Sequence, residues 1–308
     1  MICRVTQGVA PGGGSVVGHR IERNLLRPRI ALAFGSGGTK GIAHIGVLRA
    51  FEEAEIRPSV YAGSSAGALV AAAAAHGISC SEMEAIAVRL GCSSLFQIDY
   101  LGLLRRGVRT QALYREAPLR ALCAELYGDT TFRGLERPLV VSTVDVQAGI
   151  PLCWGAGGLP DVSVADAVYA SCAMPGLLPP GRVGGRLCID GAVLDPLGVR
   201  AVASLADVII AVRLEEAPAP HGGMVSLSAA PRLWSHAHSI VQREVERQTL
   251  ARWEGPPLFV LRLELPQVHP MRGRDPQAVI RAGYETAWKA ISRWEGLALA
   301  VAGVHDLL

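Results

Sequence analysis

Aromatic residues and paired cysteines are both scarce in this sequence. Only 5% of the 308 residues are aromatic, whereas 35 are glycine and 50% are hydrophobic. This balance favours an α/β protein with tight turns and a large core over an all-β sandwich. The seven cysteines are odd in number, form no C-x-x-C pair and do not combine with histidine at ligand spacing, which excludes a zinc site. We therefore expect free thiols, a cytoplasmic protein and no bound metal.

Long apolar runs and clusters of positive charge are also missing. The longest uncharged run, residues 58–81, consists largely of Ala, Gly and Ser, so it does not predict a membrane span. The basic segment 1–28 lacks the apolar core and cleavage site of a secretory signal. We interpret it as a mobile N-terminal arm, with contact to anionic lipid or nucleic acid as the alternative. No cluster of basic and aromatic residues elsewhere favours nucleic-acid binding.

Short apolar runs alternate with helix-like stretches along the rest of the chain. Strands are predicted at 29–35, 58–63, 137–146, 184–193, 206–214 and 257–265, and helices at 42–54, 66–77, 81–91, 115–128, 163–176, 232–252 and 276–295. Residues 93–110 are predicted to be irregular. This order indicates parallel βαβ units, and we expect a three-layer α/β/α fold with a mostly parallel central sheet. We assign residues 29–308 to one domain.

A glycine-rich turn, GSGGTKG, follows the first predicted strand. It is not a phosphate-binding P-loop, because the order Thr39-Lys40-Gly41 reverses the required Gly-Lys-Ser/Thr. It is not a dinucleotide fingerprint either, because Lys40 occupies the position of the last glycine and the next strand does not end in an acidic residue.

That next strand ends in GSSAG, residues 63–67. The pattern G-x-S-x-G between a strand and a helix predicts a nucleophile elbow, with Gly63 and Gly67 flanking Ser65. Turns after neighbouring parallel strands open at the same edge of a sheet, so Gly37 and Gly38 should lie beside Ser65. Their N–H groups would then bind an oxyanion, which indicates acyl transfer.

A nucleophilic serine requires a base, and the sequence offers two kinds. Five histidines are candidates: His44, His76, His236, His238 and His269. The first four lie in or at the end of predicted helices, which is typical of structural histidines, although an order of serine, acid and histidine would recruit His236 or His269. Asp190 ends an apolar strand before glycine, where an ordinary Asp-Gly turn is the alternative. The residue pattern alone leaves both open.

Three blocks of the sequence resemble those of the patatin-like phospholipases in order and approximate separation. The blocks are GSGGTKGIAHIGVL, GSSAG and ASCAMPGLLPPGRVGGRLCIDGA. The resemblance covers about residues 29–197, with weaker similarity in IRAGYETAWKAI. It implies the fold of that family and a serine–aspartate dyad without histidine, with Ser65 as nucleophile and Asp190 as base. It also places Gly37, Gly38, Thr39 and Lys40 in the oxyanion loop.

Four positions depart from the family's common pattern. Ser36 and Ala192 replace glycines, Asp195 replaces asparagine and Leu178 replaces phenylalanine. Ala192 matters most if its backbone requires a left-handed conformation. None of these changes removes a member of the implied dyad.

The resemblance implies a lipid acyl hydrolase of the phospholipase A or lysophospholipase type that works through an acyl-enzyme and needs no cofactor or calcium. Its substrate would be a phospholipid, a lysophospholipid or another fatty-acyl ester. An acyltransferase and a catalytically silent lipid-binding or regulatory protein are the alternatives. Residues 93–110 are interpreted as a cover or interfacial segment, with a loop packed on the core as the alternative, and any membrane contact should be peripheral.

Overall fold

The structure is a computed structural model that describes residues 28–107, 112–216, 230–265 and 275–293. The predicted N-terminal arm lies outside these residues except for its last position, so both the arm and the single domain 29–308 stay predictions. Within the described residues, no helix is long and apolar enough to cross a membrane.

The described residues form strands and helices that are mixed along the chain, with four successive helices between the second and third strands. The strands are β1 (Ile30–Phe34), β2 (Val60–Ser64), β3 (Leu139–Asp145), β4 (Ile150–Gly155), β5 (Gly181–Val183), β6 (Arg186–Asp190), β7 (Val208–Glu216) and β8 (Leu258–Leu265). The helices are α1 (Ala43–Glu53), α2 (Ala66–His76), α3 (Cys80–Leu95), α4 (Tyr100–Arg106), α5 (Ala117–Tyr127), α6 (Val164–Ser171), α7 (Ala230–Ala251) and α8 (Pro276–Arg293).

All of these strands belong to one sheet with the order β5-β6-β3-β2-β1-β7-β8, and β4 pairs with β3. Strands β3, β2, β1, β7 and β8 run parallel to their neighbours in that series. Strands β4 and β6 pair antiparallel with β3, and β5 pairs antiparallel with β6. The prediction of a mostly parallel central sheet flanked by helices is confirmed.

The two faces of the sheet are covered unequally. In β1, Ile30, Leu32 and Phe34 face the larger core, which also contains buried residues of α1, α2, α3, α5, α6 and α8. Ala31 and Ala33 face the smaller core, which is covered by residues 197–206 and by Leu250 of α7. Large and small side chains alternate because successive residues of a strand point to opposite faces.

Two strands and one helix were not predicted. Strand β4 carries Pro151 and pairs only with β3, which is the edge position where proline is tolerated. Strand β5 has only three residues. Helix α4 forms inside the segment predicted to be irregular, where the Asp99 side chain accepts a hydrogen bond from the N–H of Gly102 (3.0 Å) and caps the helix.

Helices α1 and α8 approach each other through two glycines. A Cβ at Gly46 would lie 1.9 Å from the carbonyl oxygen of Ile280, and a Cβ at Gly283 would lie 2.1 Å from that of Ala43. Ala43 begins α1 directly after the glycine-rich turn. Helix α8 therefore supports the helix that follows this turn.

We expect Gly283→Ala to lower the free energy of unfolding by about 1–3 kcal/mol, because the added methyl group forces the two helices apart. In an ordinary helix interior the same change stabilises by about 1 kcal/mol, so the sign is diagnostic. Denaturant unfolding of Gly283→Ala tests this. The variant Lys289→Gly, at an exposed position on the same helix, is the control that measures the ordinary cost of glycine in this helix. A stabilising Gly283→Ala would contradict the close packing.

Candidate active site

Ser65 lies in a sharp turn between β2 and α2. Its backbone angles, φ 54° and ψ −128°, are sparsely populated by residues with a side chain. The flanking glycines are required sterically, since a Cβ at Gly63 would lie 2.5 Å from Cα of Ala68 and a Cβ at Gly67 would lie 2.1 Å from the carbonyl oxygen of Phe34. The turn presents Ser65 at the N-terminus of α2, where partial positive charge favours an anion.

Strand β3 brings the carboxyl ends of β2 and β6 together. Strand β4 pairs with β3 over residues 140–145 and so occupies one of its edges. The other edge is shared by β2, which ends where Ser64 pairs with Ser142, and β6, which ends where Asp190 pairs with Thr143. Since β6 runs antiparallel to β2, the two strands meet end to end, and Asp190 faces the turn that holds Ser65.

The Ser65 hydroxyl donates a hydrogen bond of 2.7 Å to Oδ2 of Asp190. The other carboxylate oxygen, Oδ1, accepts the N–H of Ala192 at 2.8 Å. Asp190 is fully buried and Ser65 is 6% exposed. Burial raises the pKa of Asp190 to about 7, although the hydrogen bonds from Ala192 and Ser65 oppose this shift. A carboxyl group that titrates near neutrality and touches a serine hydroxyl can accept its proton.

The candidate histidines make other contacts. The His44 ring donates through Nε2 to the carbonyl oxygen of Gly35 (2.9 Å), and burial lowers its pKa to about 4, so it is neutral near pH 7. His76 contacts the Thr130 hydroxyl (3.3 Å). His236 is exposed and His238 half-buried on α7, and His269 lies outside the described residues. Within the described residues, no histidine is hydrogen-bonded to the Ser65 hydroxyl or to Asp190.

The glycine-rich turn lies beside Ser65, as predicted from the parallel strands. Phe34 pairs with Gly63, so β1 and β2 end side by side. A Cβ at Gly41 would lie 2.4 Å from Cβ of Ala66, the residue after Ser65. The short 3₁₀ helix Gly38–Ile42, which contains Thr39 and Lys40, therefore packs directly on the start of α2.

Most backbone donors of this turn are already used. Gly35 donates to Val212 (2.9 Å), Ser36 to Pro196 (2.8 Å) and Lys40 to Gly37 (3.1 Å). The N–H groups of Gly37 and Gly38 have no partner among the described residues. Gly38 adopts the left-handed φ of 55°, which favours glycine. Two adjacent backbone donors thus remain available beside the serine.

A set of residues that the sequence patterns do not identify holds the serine backbone. Ser171 accepts the Ser65 N–H at 2.9 Å and donates from the same hydroxyl to the carbonyl oxygen of Ser142 at 2.8 Å. The Cys172 thiol donates to the carbonyl oxygen of Ser65 (3.2 Å), and Ala173 accepts the N–H of Asp190 (3.1 Å). These residues form the SCA of the third motif block, but the contacts of Ser171 and Cys172 with Ser65 span 106 and 107 residues of sequence.

The departures from the common motif fit the structure. Ala192 lies in a 3₁₀ turn and is absent from the left-handed residues of the described chain, so it adds no backbone strain. Gly191 is the position that requires glycine, because a Cβ there would lie 2.2 Å from the carbonyl oxygen of Ser142. Asp195 is buried and accepts a bond from the Ser142 hydroxyl (3.3 Å), and burial raises its pKa to about 6.

Comparison with known proteins places the site in a family. The family model described as patatin-like phospholipase matches residues 32–203, which include both Ser65 and Asp190. An uncharacterized NTE family protein of Mycobacterium tuberculosis is 35% identical over 193 residues, which are 62% of this chain and 51% of that protein. A protein named lysophospholipase nte1 from Aspergillus fumigatus is 29% identical over 199 residues, 63% of this chain and 12% of that protein.

Two solved structures are also similar. The crystal structure of VipD from Legionella pneumophila has a TM-score of 0.49 and 15% identity, with 87% of this chain and 67% of that chain covered. The type III effector ExoU has a TM-score of 0.40 and 16% identity, with 87% and 53% covered. The matched region spans about half the length of this mycobacterial relative and a smaller share of the fungal one.

We expect Asp190→Asn to be more stable than the wild type above pH 7. The raised pKa means that the folded state holds a proton more tightly than the unfolded state. The contribution of Asp190 to the free energy of unfolding is therefore fully present below about pH 4 and is lost as the pH rises through about 7. Asparagine keeps an acceptor for the N–H of Ala192, and its amide can donate to the Ser65 hydroxyl, without burying a charge. A shift from 3.8 to about 7 corresponds to up to about 4 kcal/mol.

Denaturant unfolding between pH 4 and pH 8 measures this difference. Asp145→Asn is the control of opposite sign, because backbone hydrogen bonds and Arg186 lower the pKa of Asp145. Because this pKa lies below the range measured, the Asp145 carboxylate stabilises the fold throughout it, and Asp145→Asn should be less stable than the wild type at pH 8. An Asp190→Asn difference that does not change with pH would contradict the burial of an ionisable carboxyl group.

Proposed function

The chain belongs to the patatin-like phospholipase family, and on that premise we propose that it is a lipid acyl hydrolase with Ser65 as nucleophile and Asp190 as base. The observation that carries the proposal is the 2.7 Å hydrogen bond from the Ser65 hydroxyl to the buried Asp190 carboxylate at the end of a G-x-S-x-G turn. The name of the fungal relative, lysophospholipase, supports a substrate with a fatty-acyl ester. We propose a phospholipid, a lysophospholipid or another fatty-acyl ester.

In the first half-reaction, ionised Asp190 takes the proton of the Ser65 hydroxyl while the oxygen attacks the ester carbonyl carbon. The resulting tetrahedral intermediate carries a negative charge on the former carbonyl oxygen. As it collapses, the bond to the alcohol breaks, and Asp190 returns the proton to the leaving oxygen. The acyl group remains bound to Ser65 as an ester.

In the second half-reaction, water attacks the acyl-enzyme. Asp190 accepts a proton from the water, and the tetrahedral intermediate collapses to release the fatty acid. The proton then passes to the Ser65 oxygen, which restores the starting state. Because one carboxyl group serves alternately as base and acid, a pKa near neutrality suits both steps.

The oxyanion is assigned to the glycine-rich turn. The N–H groups of Gly37 and Gly38 are free of partners among the described residues and lie in a turn packed on the start of α2. Thr39 and Lys40 follow in the same turn, and Lys40 would add positive charge. Removal of one such donor typically reduces the rate by about 10²–10³-fold.

We expect Ser65→Ala and Asp190→Asn each to lose at least about 10³-fold in hydrolysis of a short p-nitrophenyl ester, since both belong to one catalytic unit. Intact-mass analysis after fluorophosphonate treatment should show one adduct on Ser65 in the wild type and none in Ser65→Ala. His236→Ala and His269→Ala remove the two histidines that an order of serine, acid and histidine would recruit; they are the controls and should each retain both labelling and turnover.

Three results would overturn the assignment. Hydrolysis by Ser65→Ala would identify another nucleophile, and loss of activity in folded His236→Ala or His269→Ala would indicate a histidine-dependent triad. A folded wild type that is inert to both reagents would favour a silent lipid-binding protein.

Product analysis with an added alcohol separates hydrolysis from acyl transfer, because only transfer yields a new ester.

A further inference from the structure

Helix α4 exposes a row of large apolar side chains. Tyr100 is 73% exposed, Leu101 64% and Leu104 83%, and Leu103 is also exposed, whereas Gly102 beneath them is buried. Elsewhere in the described chain, exposed large apolar residues are more widely spaced, and the three on α7, Leu233, Ile240 and Val241, are each only about half exposed. Single exposed apolar side chains are ordinary, but a contiguous group on one short helix marks a binding surface.

The base of α4 is fixed to the loop that borders the dyad. The N–H of Asp99 donates to Leu113 (2.9 Å), and Leu113 and Tyr114 donate to the carbonyl oxygens of Gly176 (3.0 Å) and Leu177 (2.9 Å). This loop, residues 172–178, begins with the thiol that donates to Ser65 and the carbonyl that accepts the N–H of Asp190. Helix α4 is thus joined by hydrogen bonds to the rim of the candidate active site.

The sequence beside the apolar row is rich in arginine. Arg105 is exposed and makes no ion pair with another described residue. Arg106 follows it in sequence, and Arg109 lies just outside the described residues. The acidic residue of the segment, Asp99, is engaged in capping the helix. Apolar side chains flanked by arginine are the combination that binds the interface of an anionic bilayer.

We propose that the exposed face of α4, formed by Tyr100, Leu101, Leu103, Leu104 and Arg105, docks the protein on the surface of an anionic phospholipid bilayer. The apolar side chains enter the boundary between head groups and acyl chains, and Arg105 contacts lipid phosphate. The inference rests on the proposed function, because it places the acyl-ester site next to the membrane that supplies its substrate.

Binding to vesicles of ether-linked phospholipids tests this surface without hydrolysis. The vesicles contain either diether phosphatidylcholine alone or a mixture with diether phosphatidylglycerol, and sedimentation gives the bound fraction of the full chain. We expect the double variant Leu101→Ser/Leu104→Ser to bind at least about tenfold more weakly than the wild type, from the lost burial of two leucines. Arg105→Gln should lose preference for the anionic vesicles.

The matched control is Ile240→Ser/Val241→Ser, which removes two half-exposed apolar side chains from α7 and should bind as the wild type does. Circular dichroism establishes that each variant is folded. Equal binding by the α4 variant and the wild type, or no binding by the wild type to either vesicle, would overturn the proposal. The proposal would also be overturned if light scattering showed that the α4 variant differs from the wild type in oligomeric state while its vesicle binding is unchanged.

If the wild type binds the neutral and the anionic vesicles equally well, the proposed role of Arg105 would be overturned. The result is independent of catalysis, because ether lipids have no ester to cleave. Failure of the proposed function would instead show as a wild type that binds vesicles but does not hydrolyse the soluble p-nitrophenyl ester.

Discussion

The hydrogen bond between Ser65 and Asp190 depends on one feature of the sheet, the edge of β3 that β2 and β6 share end to end. A parallel strand delivers the serine to that junction, and an antiparallel strand delivers the carboxylate from the other direction. Displacement of either strand by one residue would turn the side chain to the other face. The geometry of the site is therefore a property of strand register rather than of a flexible loop.

Close packing by glycine keeps this register. Gly63, Gly67 and Gly191 each sit where a Cβ would lie within 2.5 Å of backbone atoms, so the chain segments around the dyad touch backbone to backbone. The Ser171 hydroxyl connects the serine turn to β3 in the same region. The fold thereby stabilises two unfavourable features, the left-handed backbone of Ser65 and the buried carboxyl group of Asp190.

Local features of the site were predictable from the sequence, and long-range ones were not. The elbow at Ser65 and the turn at Gly37 and Gly38 follow from apolar runs interrupted by glycine. The role of Ser171 was not predictable, because its partner Ser65 is 106 positions away and no local pattern marks the contact. Helix α4 was missed because its exposed leucines do not follow the periodicity of a helix that covers a core. Asp190 was separated from an ordinary Asp-Gly turn only by family resemblance.

The rate of Ser65 labelling by a fluorophosphonate, measured as a function of pH, tests the central claim most directly. If Asp190 is the base, the rate rises with pH through an apparent pKa of about 7, because the carboxylate must be ionised to accept the proton. The rise should persist in Asp195→Asn, which removes the neighbouring buried carboxyl group, and vanish in Asp190→Asn. A rise that persists in Asp190→Asn, or that vanishes in His236→Ala or His269→Ala, would contradict the account.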